Sequence, residues 1–270
     1  MPDKLIIFDY SGTLSLEMAE FARPDNLMRQ LKSSGLFALG VDSAALFWGI
    51  VNATWTKGST TGLRYKKVMR ERILELFPEI AGSRQPEVSS AVSNFADAYL
   101  EHSRIDEHWR PVFEILSSDK SVQVIIATDH YAEATDAIIV QLAQWDLQAM
   151  AVTGNCPSNI IVANSADIGV HKDRQQFWRI IKDALQQKYR CILLIDDFGH
   201  NEQQGDAYCN VNKVDKRQKK TVKMLREIFA AEVESIPFAV KDGRTVKLIA
   251  ETSAIIEQFL FVKLKFKKTQ

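Results

Sequence analysis

The chain reads as an α/β protein built on a parallel sheet, on three observations. Apolar runs at Leu5–Phe8, Val122–Ala127 and Ile192–Ile195 each lead into a polar residue, Asp9, Thr128 and Asp196, and the first and third are continuously apolar, as expected of strands covered on both faces. After Thr128, helical and strand patterns alternate. Between the first two runs, over about residues 20 to 108, that alternation is absent and the spacing is helical. Open sheets of this kind bind ligands at the carboxyl ends of their strands, so the polar residues that close the runs are candidates for chemistry.

Taken in order, the first strand leads into Asp9-Tyr-Ser-Gly-Thr13, a turn sequence. Leu63 to Phe77 sets Met69, Ile73, Leu76 and Phe77 on one helical face and stops at Pro78; Val88 to His102 repeats the pattern with Val92, Phe95 and Tyr99. Pro111 suits the first turn of a further helix. Beyond Thr128 the spacing predicts a helix over 132–145, a strand near 147–152, a helix over 173–187 and the strand ending at Ile195. Lys213 to Lys223 begins an exposed helix with Val222, Leu225, Ile228 and Phe229 facing inward. Pro237 to Ile249 predicts a hairpin around Asp242-Gly243, and Thr252 to Leu260 a helix. Val262, Leu264 and Phe266 alternate with Lys263, Lys265 and Lys267, a half-buried strand pattern that suits either a dimer contact or a solvated end.

Composition limits the function classes. With 46% hydrophobic and 25% charged residues over 270 positions, the chain has the make-up of a folded globular protein with room for a core and an accessory domain. Its 34 basic and 34 acidic residues cancel, so no global field recruits nucleic acid or an anionic membrane. Cys156, Cys191 and Cys209 lack metal-ligand spacing, no run approaches the roughly 18 apolar residues that span a bilayer, and no signal segment opens the sequence. A reduced, cytoplasmic setting is the expectation.

Asp9, Thr128, Lys172 and the pair Asp196-Asp197, each at a strand or helix end and in that chain order, make the sequence resemble the haloacid dehalogenase superfamily of phosphohydrolases. The resemblance spans most of the chain. It implies a Rossmann-like three-layer core (1–19 and 109–235) with a helical cap of the C1 type inserted after the first strand (20–108), followed by a C-terminal extension (236–270). It further implies a magnesium-dependent phosphohydrolase of a small phosphorylated metabolite, working through an aspartyl-phosphate on Asp9.

The chemistry is consistent with the residue types. A carboxylate that attacks phosphorus must overcome repulsion between two anions, and a divalent cation removes most of it. Adjacent acids at a strand tip also repel one another unless a positive group intervenes, and Mg²⁺ favours oxygen ligands. By the resemblance the ligands would be a carboxylate oxygen of Asp9, the backbone carbonyl of Ser11 and one late aspartate, Asp197 favoured with Asp196 as second contributor. Thr128 would donate to a phosphoryl oxygen, and Lys172 would neutralise charge shared with Asp9. Gly12 lets the backbone turn tightly. Ser11, Gly12, Thr13, Asp129 and Lys57 are the expected substrate-binding residues.

The sequence departs from the family at Ser11. Most phosphatases of the superfamily carry a second aspartate there, which protonates the leaving oxygen, and losing a positioned acid costs ~10²–10⁴-fold in rate. His130, His200 and Lys57 are candidates to compensate, although both histidines equally suit loop positions bonded to backbone. Two alternatives stand beside turnover of a phosphomonoester. One is a non-catalytic phosphate- or phosphonate-binding protein; the other is a phosphonoacetaldehyde-type carbon–phosphorus hydrolase in which a cap lysine such as Lys57 forms a Schiff base. The segment Trp55-Thr-Lys57-Gly-Ser-Thr-Thr-Gly62 lies where such caps carry a specificity loop, and Trp48 and Trp55, beside it, are the tryptophans worth testing as ligand contacts.

Overall fold

The sheet starts at β1 (Lys4–Phe8), whose five residues are all buried. In the computed structural model of the protein, residues 2–152, 158–202, 205, 206, 208, 209, 211–241 and 243–261 are described. Among them the strands are β1, β2 (Val122–Thr128), β3 (Ala149–Ala151), β4 (Ile160–Asn164), β5 (Cys191–Asp196) and β6 (Glu232–Pro237), all parallel, in the order β3-β4-β2-β1-β5-β6. Helices cover both faces. Alternate residues of β1 enter different layers: Ile6 and Phe8 pack with Trp109 and Phe113, and Leu5 and Ile7 pack with Trp178 and Leu225. This two-sided burial explains why the central strands carry unbroken apolar runs.

The chain between β1 and β2 is helical, as expected: α1 (Glu17–Phe21), α2 (Pro24–Ser34), α3 (Ala44–Ser59), α4 (Tyr65–Leu76), α5 (Pro78–Ala81) and α6 (Gln85–His102). These helices share a third apolar cluster that includes Leu31, Phe47, Ile73, Val88 and Phe95. Then come α7 (Arg110–Ser118), with Pro111 in its first turn, α8 (Glu133–Ala143), α9 (Ser165–Ile168), α10 (Gln175–Leu185), α11 (Val214–Phe229) and α12 (Thr245–Phe261). α11 buries Leu225, Ile228 and Phe229, and Val222 packs on the same layer.

Four expectations change. The strand β4 lies where only a connection was expected, and it is fully buried between β2 and β3. Trp55 to Ser59 belongs to the last turns of α3 and is not a loop. Leu76 is 36% exposed, so the inward face of α4 is Val68, Met69 and Ile73. Among the described residues of 237–249 no hairpin forms: β6 is a parallel edge strand that ends at Pro237, where a residue without an N–H is tolerated, and the chain passes through Gly243 (φ +68°) into α12. Ile249 and Ile256 of α12 are buried in the same layer as Trp109 and Phe238. Lys4 Nζ donates to the carbonyls of Phe259 (3.1 Å) and Leu260 (2.5 Å), satisfying carbonyls at the helix end that lack helical partners.

The strand pattern at 262–267 and Cys156 lie outside the described residues. Among the described residues Cys191 and Cys209 are free thiols, and no helix is long and apolar enough to cross a membrane.

Candidate active site at the strand ends

β1 lies between β2 and β5, and Phe8 is level with Ile126 on one side and Ile195 on the other. The residues next in register therefore emerge together at one edge. Asp9 N–H donates to the Ile195 carbonyl at 2.8 Å, which continues the ladder by one residue. Asp9 is 5% exposed, and Asp196 and Asp197 are 4% and 1% exposed. One ligand oxygen from each of the three lies within 4.8 Å of the others.

Lys172 enters this group from the loop before α10. Its Nζ donates to Asp9 Oδ1 at 2.5 Å and to Asp196 Oδ2 at 3.1 Å. The loop is held at both ends of the residue: Lys172 N–H donates to Asp129 Oδ1 (2.8 Å), and Trp178 Nε1 donates to the Lys172 carbonyl (2.7 Å). The lysine is thereby placed by backbone bonds that do not involve its ammonium.

The turn after β1 and the turn after β5 are packed into each other. Gly12 has φ +74°, and a Cβ there would lie 2.7 Å from Asp197 Oδ2, so glycine is required both for the left-handed conformation and for the close approach. Asp197 N–H donates to Thr13 Oγ1 at 3.0 Å. Both Asp197 oxygens accept backbone bonds, from Gly199 (3.0 Å) and Asn201 (2.7 Å), and Asp196 Oδ1 accepts from Phe198 N–H at 2.6 Å. Phe198 holds φ +53° while 1% exposed, a conformation uncommon for a bulky side chain and of the kind found at functional turns. Asn201 Nδ2 donates to the carbonyls of Gly12 (2.6 Å) and Phe238 (2.8 Å), and its Oδ1 accepts from Val240 N–H (3.0 Å). One carboxamide therefore ties together the exits of β1, β5 and β6.

Electrostatics derive from burial. Burial raises the Asp9 carboxyl well above the usual range; Lys172 opposes this, and the charges of Asp196 and Asp197 add to it. Asp197 is pushed up to about 6 by burial and then by Asp196. Burial alone would lower the Lys172 ammonium, but Asp196 and Asp9 hold it well above its ordinary value. Three clustered carboxylates thus share one ammonium, and two of them are driven toward protonation. A hard dication is the group this all-oxygen donor set fits, because it would reverse that drive; Asp9, Asp196 and Asp197 are the residues that would hold it.

Stability should respond accordingly. Asp197 has a folded-state pKa above its ordinary 3.8, so the folded protein retains a proton that the unfolded chain has released, and stability falls as pH rises from about 4 through about 6. In chelator, thermal unfolding is expected to show a Tm decline across that window of several degrees, which Mg²⁺ restores; a Tm that ignores both pH and Mg²⁺ would contradict the charge count.

Above the cluster lies a cleft of about 1130 Å³, counting the solvent space into which it opens, reaching from Asp9, Ser11, Gly12, Thr128 and Lys172 to side chains of the helical unit. Of the residues singled out in the sequence, Asp129, His130, Trp48 and Trp55 also line it. Thr13 does not: it is fully buried, and its hydroxyl serves Asp197. Lys57 does not either. It projects from the last turn of α3, its side chain is 56% exposed, and it pairs with Glu71 at 2.9 Å, which raises its pKa. His200 is outside the lining and donates its N–H to the Asp197 carbonyl. His130 is 2% exposed, and burial depresses it to about 4. Its imidazole is neutral near pH 7, so it is not a proton donor there; its Nε2 meets Tyr99 Oη at 2.9 Å.

Sequence reasoning missed Asn201, Glu202, Asp206 and Tyr131. The first three come within ten residues after the paired aspartates, and Tyr131 is next to His130; proximity to a motif was the available signal. Glu202 and Asp206 line the cavity. Burial raises Glu202 well above the carboxylate range, and Asp197, Asp206 and Asp9 add to the rise.

No family model matches the chain, and no curated protein matches it. Among solved structures it is similar to a 2-haloacid dehalogenase from Pseudomonas syringae pv. Tomato DC3000, at 16% identity over 93% of this chain and 100% of that one, with a TM-score of 0.48. It is also similar to an L-2-haloacid dehalogenase from Xanthobacter autotrophicus with chloropropionic acid covalently bound, at 11% identity over 96% of this chain and 87% of that one, with a TM-score of 0.46.

Proposed function

We propose that this protein is a Mg²⁺-dependent phosphohydrolase that transfers the phosphoryl group of a small phosphomonoester to Asp9 and then to water. The observation that carries the reading is the sharing of Lys172 between Asp9 and Asp196, with Asp197 in the same cluster, beneath a cavity that opens on Asp9. An Asp9 oxygen attacks phosphorus as the ester bond breaks, and water later releases phosphate from the aspartyl-phosphate. Lys172 balances the charge of the carboxylate and the phosphoryl oxygens, and Thr128 offers its hydroxyl to one of them. Bound Mg²⁺ supplies screening between the two anions.

Ser11 cannot protonate the leaving oxygen, and of the expected substitutes His130 is neutral and Lys57 faces solvent. Glu202 takes that role in this reading, since it lines the cavity and holds its proton more tightly than an ordinary carboxyl. Glu202→Gln is expected to lower kcat on alkyl phosphates by ~10²–10⁴-fold, and to lower it far less on substrates whose leaving group needs no proton, such as p-nitrophenyl phosphate. Equal losses on both would assign Glu202 a structural part only.

A halocarboxylate fits less well. It brings its own anionic group, and among the described lining residues Lys172 is the cationic side chain, already occupied by Asp9 and Asp196. A Schiff-base route also lacks a cap amine, because none of Lys57, Lys66 and Lys67 is among the described residues that line the cavity. Phosphate release from a panel of phosphomonoesters with Mg²⁺ and with chelator tests the proposal. Mg²⁺-dependent release is expected; chloride release from 2-chloropropionate, or phosphate analogue binding without any turnover, would replace it with the dehalogenase or the binding-protein reading.

A further inference from the structure

We infer that the cavity takes a phosphomonoester whose organic part is flat, apolar and uncharged, an aryl phosphate or a compound of like shape, and that it rejects sugar phosphates and compounds with a second anionic group. The inference rests on the phosphohydrolase reading of the same site and specifies its substrate class.

Much of the cavity lining is aromatic. Phe47, Trp48, Trp55, Tyr65, Tyr99 and Tyr131 all line the cavity, and most belong to one connected group. Tyr131 meets Tyr65 at 4.4 Å and Trp55 at 5.5 Å between centroids; Tyr65 meets Tyr99 at 5.6 Å, and Phe47 meets Trp48 at 5.4 Å. Such rings bury large flat areas at little entropic cost and stack on other rings. A sugar would place several hydroxyls against ring faces, more than the few polar atoms of this wall could pair, and the rest would lose water without compensation.

The wall is also closely built. A Cβ on Gly58 of α3 would lie 2.3 Å from the Tyr131 ring, and one on Gly205 would lie 2.6 Å from Trp48. The end of α3 is fastened to the sheet side by Ser59 Oγ with His171 Nε2 (2.7 Å) and by Ser165 Oγ, which donates to the Ser59 carbonyl (2.5 Å). The aromatic surface is therefore preorganised over the reaction centre.

Charge completes the selection. Among the described lining residues Lys172 is the one cationic side chain, and Asp9 and Asp196 already hold it, while Asp206 adds a further carboxyl group to the cavity. A second phosphate or a carboxylate on the substrate would find no cation among the described lining residues to receive it away from Asp9. Among the described residues, two buried polar atoms on the lining, His130 Nδ1 and Tyr131 Oη, in residues 2% and 3% exposed, make no hydrogen bond of good geometry. Buried polar atoms of this kind call for a partner, and one or two uncharged polar atoms on the ligand would provide it.

The test is calorimetric binding to the full chain in Mg²⁺, using 2-naphthylmethylphosphonate, glycerol 3-phosphate and inorganic phosphate, alongside turnover of 2-naphthyl phosphate and glucose 6-phosphate. The aryl phosphonate is expected to bind at least about 30-fold more tightly than either other ligand, from the apolar area it removes from water. Trp55→Ala should weaken the aryl ligand about tenfold and leave phosphate unchanged. Equal affinities of the three ligands in the native protein, or preferred turnover of glucose 6-phosphate, would overturn the inference, and neither result depends on the variant folding. Tight aryl binding with no turnover of any ester upholds the substrate class and removes the hydrolase reading; efficient turnover of sugar phosphates does the reverse.

Discussion

Asp9→Asn is expected to reduce phosphomonoester turnover by on the order of 10⁴-fold or more, with little change in unfolding temperature. The exchange keeps the shape of the side chain and an oxygen that Lys172 can still reach at the Oδ1 position. It removes the oxygen anion that forms the bond to phosphorus, and the neighbouring Asp196 does not substitute, since its two oxygens are occupied by Lys172 and by Phe198 N–H. Steady-state kcat at saturating Mg²⁺, read beside circular-dichroism melting, separates loss of chemistry from loss of fold. Activity within tenfold of the native protein would show that Asp9 is not the attacking group.

Lys172→Met should cost about 3–5 kcal/mol of stability in chelator as well as abolishing turnover. The methionine matches the lysine stem in size but leaves Asp9, Asp196 and Asp197 with no cation among them. The loop itself should stay in place, because Asp129 and Trp178 hold its backbone. Mg²⁺ should therefore restore far more stability to this variant than to the native protein, and urea midpoints with and without the ion measure the difference. A variant as stable as the native chain in chelator would mean that the three acids are protonated at rest and that the lysine is not needed to hold them.

The parts of the fold legible in the sequence are those with a strong period or an interrupted one. β1, β2 and β5 are visible because burial on both sides leaves few polar residues inside them, and their ends carry the reactive groups for the same topological reason. The helices α4, α6 and α10 show through their spacing. β4 escapes because Ile160–Ala163 is a short apolar run inside a connection. The hairpin expected at Asp242-Gly243 fails because a turn signal marks a reversal of the chain without fixing the next element; here that element is a helix with two buried isoleucines. Lys57 misleads in another way. Its glycine- and threonine-rich neighbourhood looks like a loop, yet Gly58 is present because Tyr131 presses against the helix. Asn201 and Glu202 have no pattern to find, since their roles depend on where β6 and the helical unit sit, which no local spacing records.

The Asn201 carboxamide couples regions that sequence distance would separate. By gripping Gly12 on one side and Phe238 and Val240 on the other, it makes the segment leaving β6 a buttress for the turn beside the nucleophile. Lys4, at the opposite end of β1, is bonded to the far end of α12. The first strand is thus gripped above and below by the last strand and helix described, so that slack introduced anywhere between residues 237 and 261 would be felt as misalignment at Asp9.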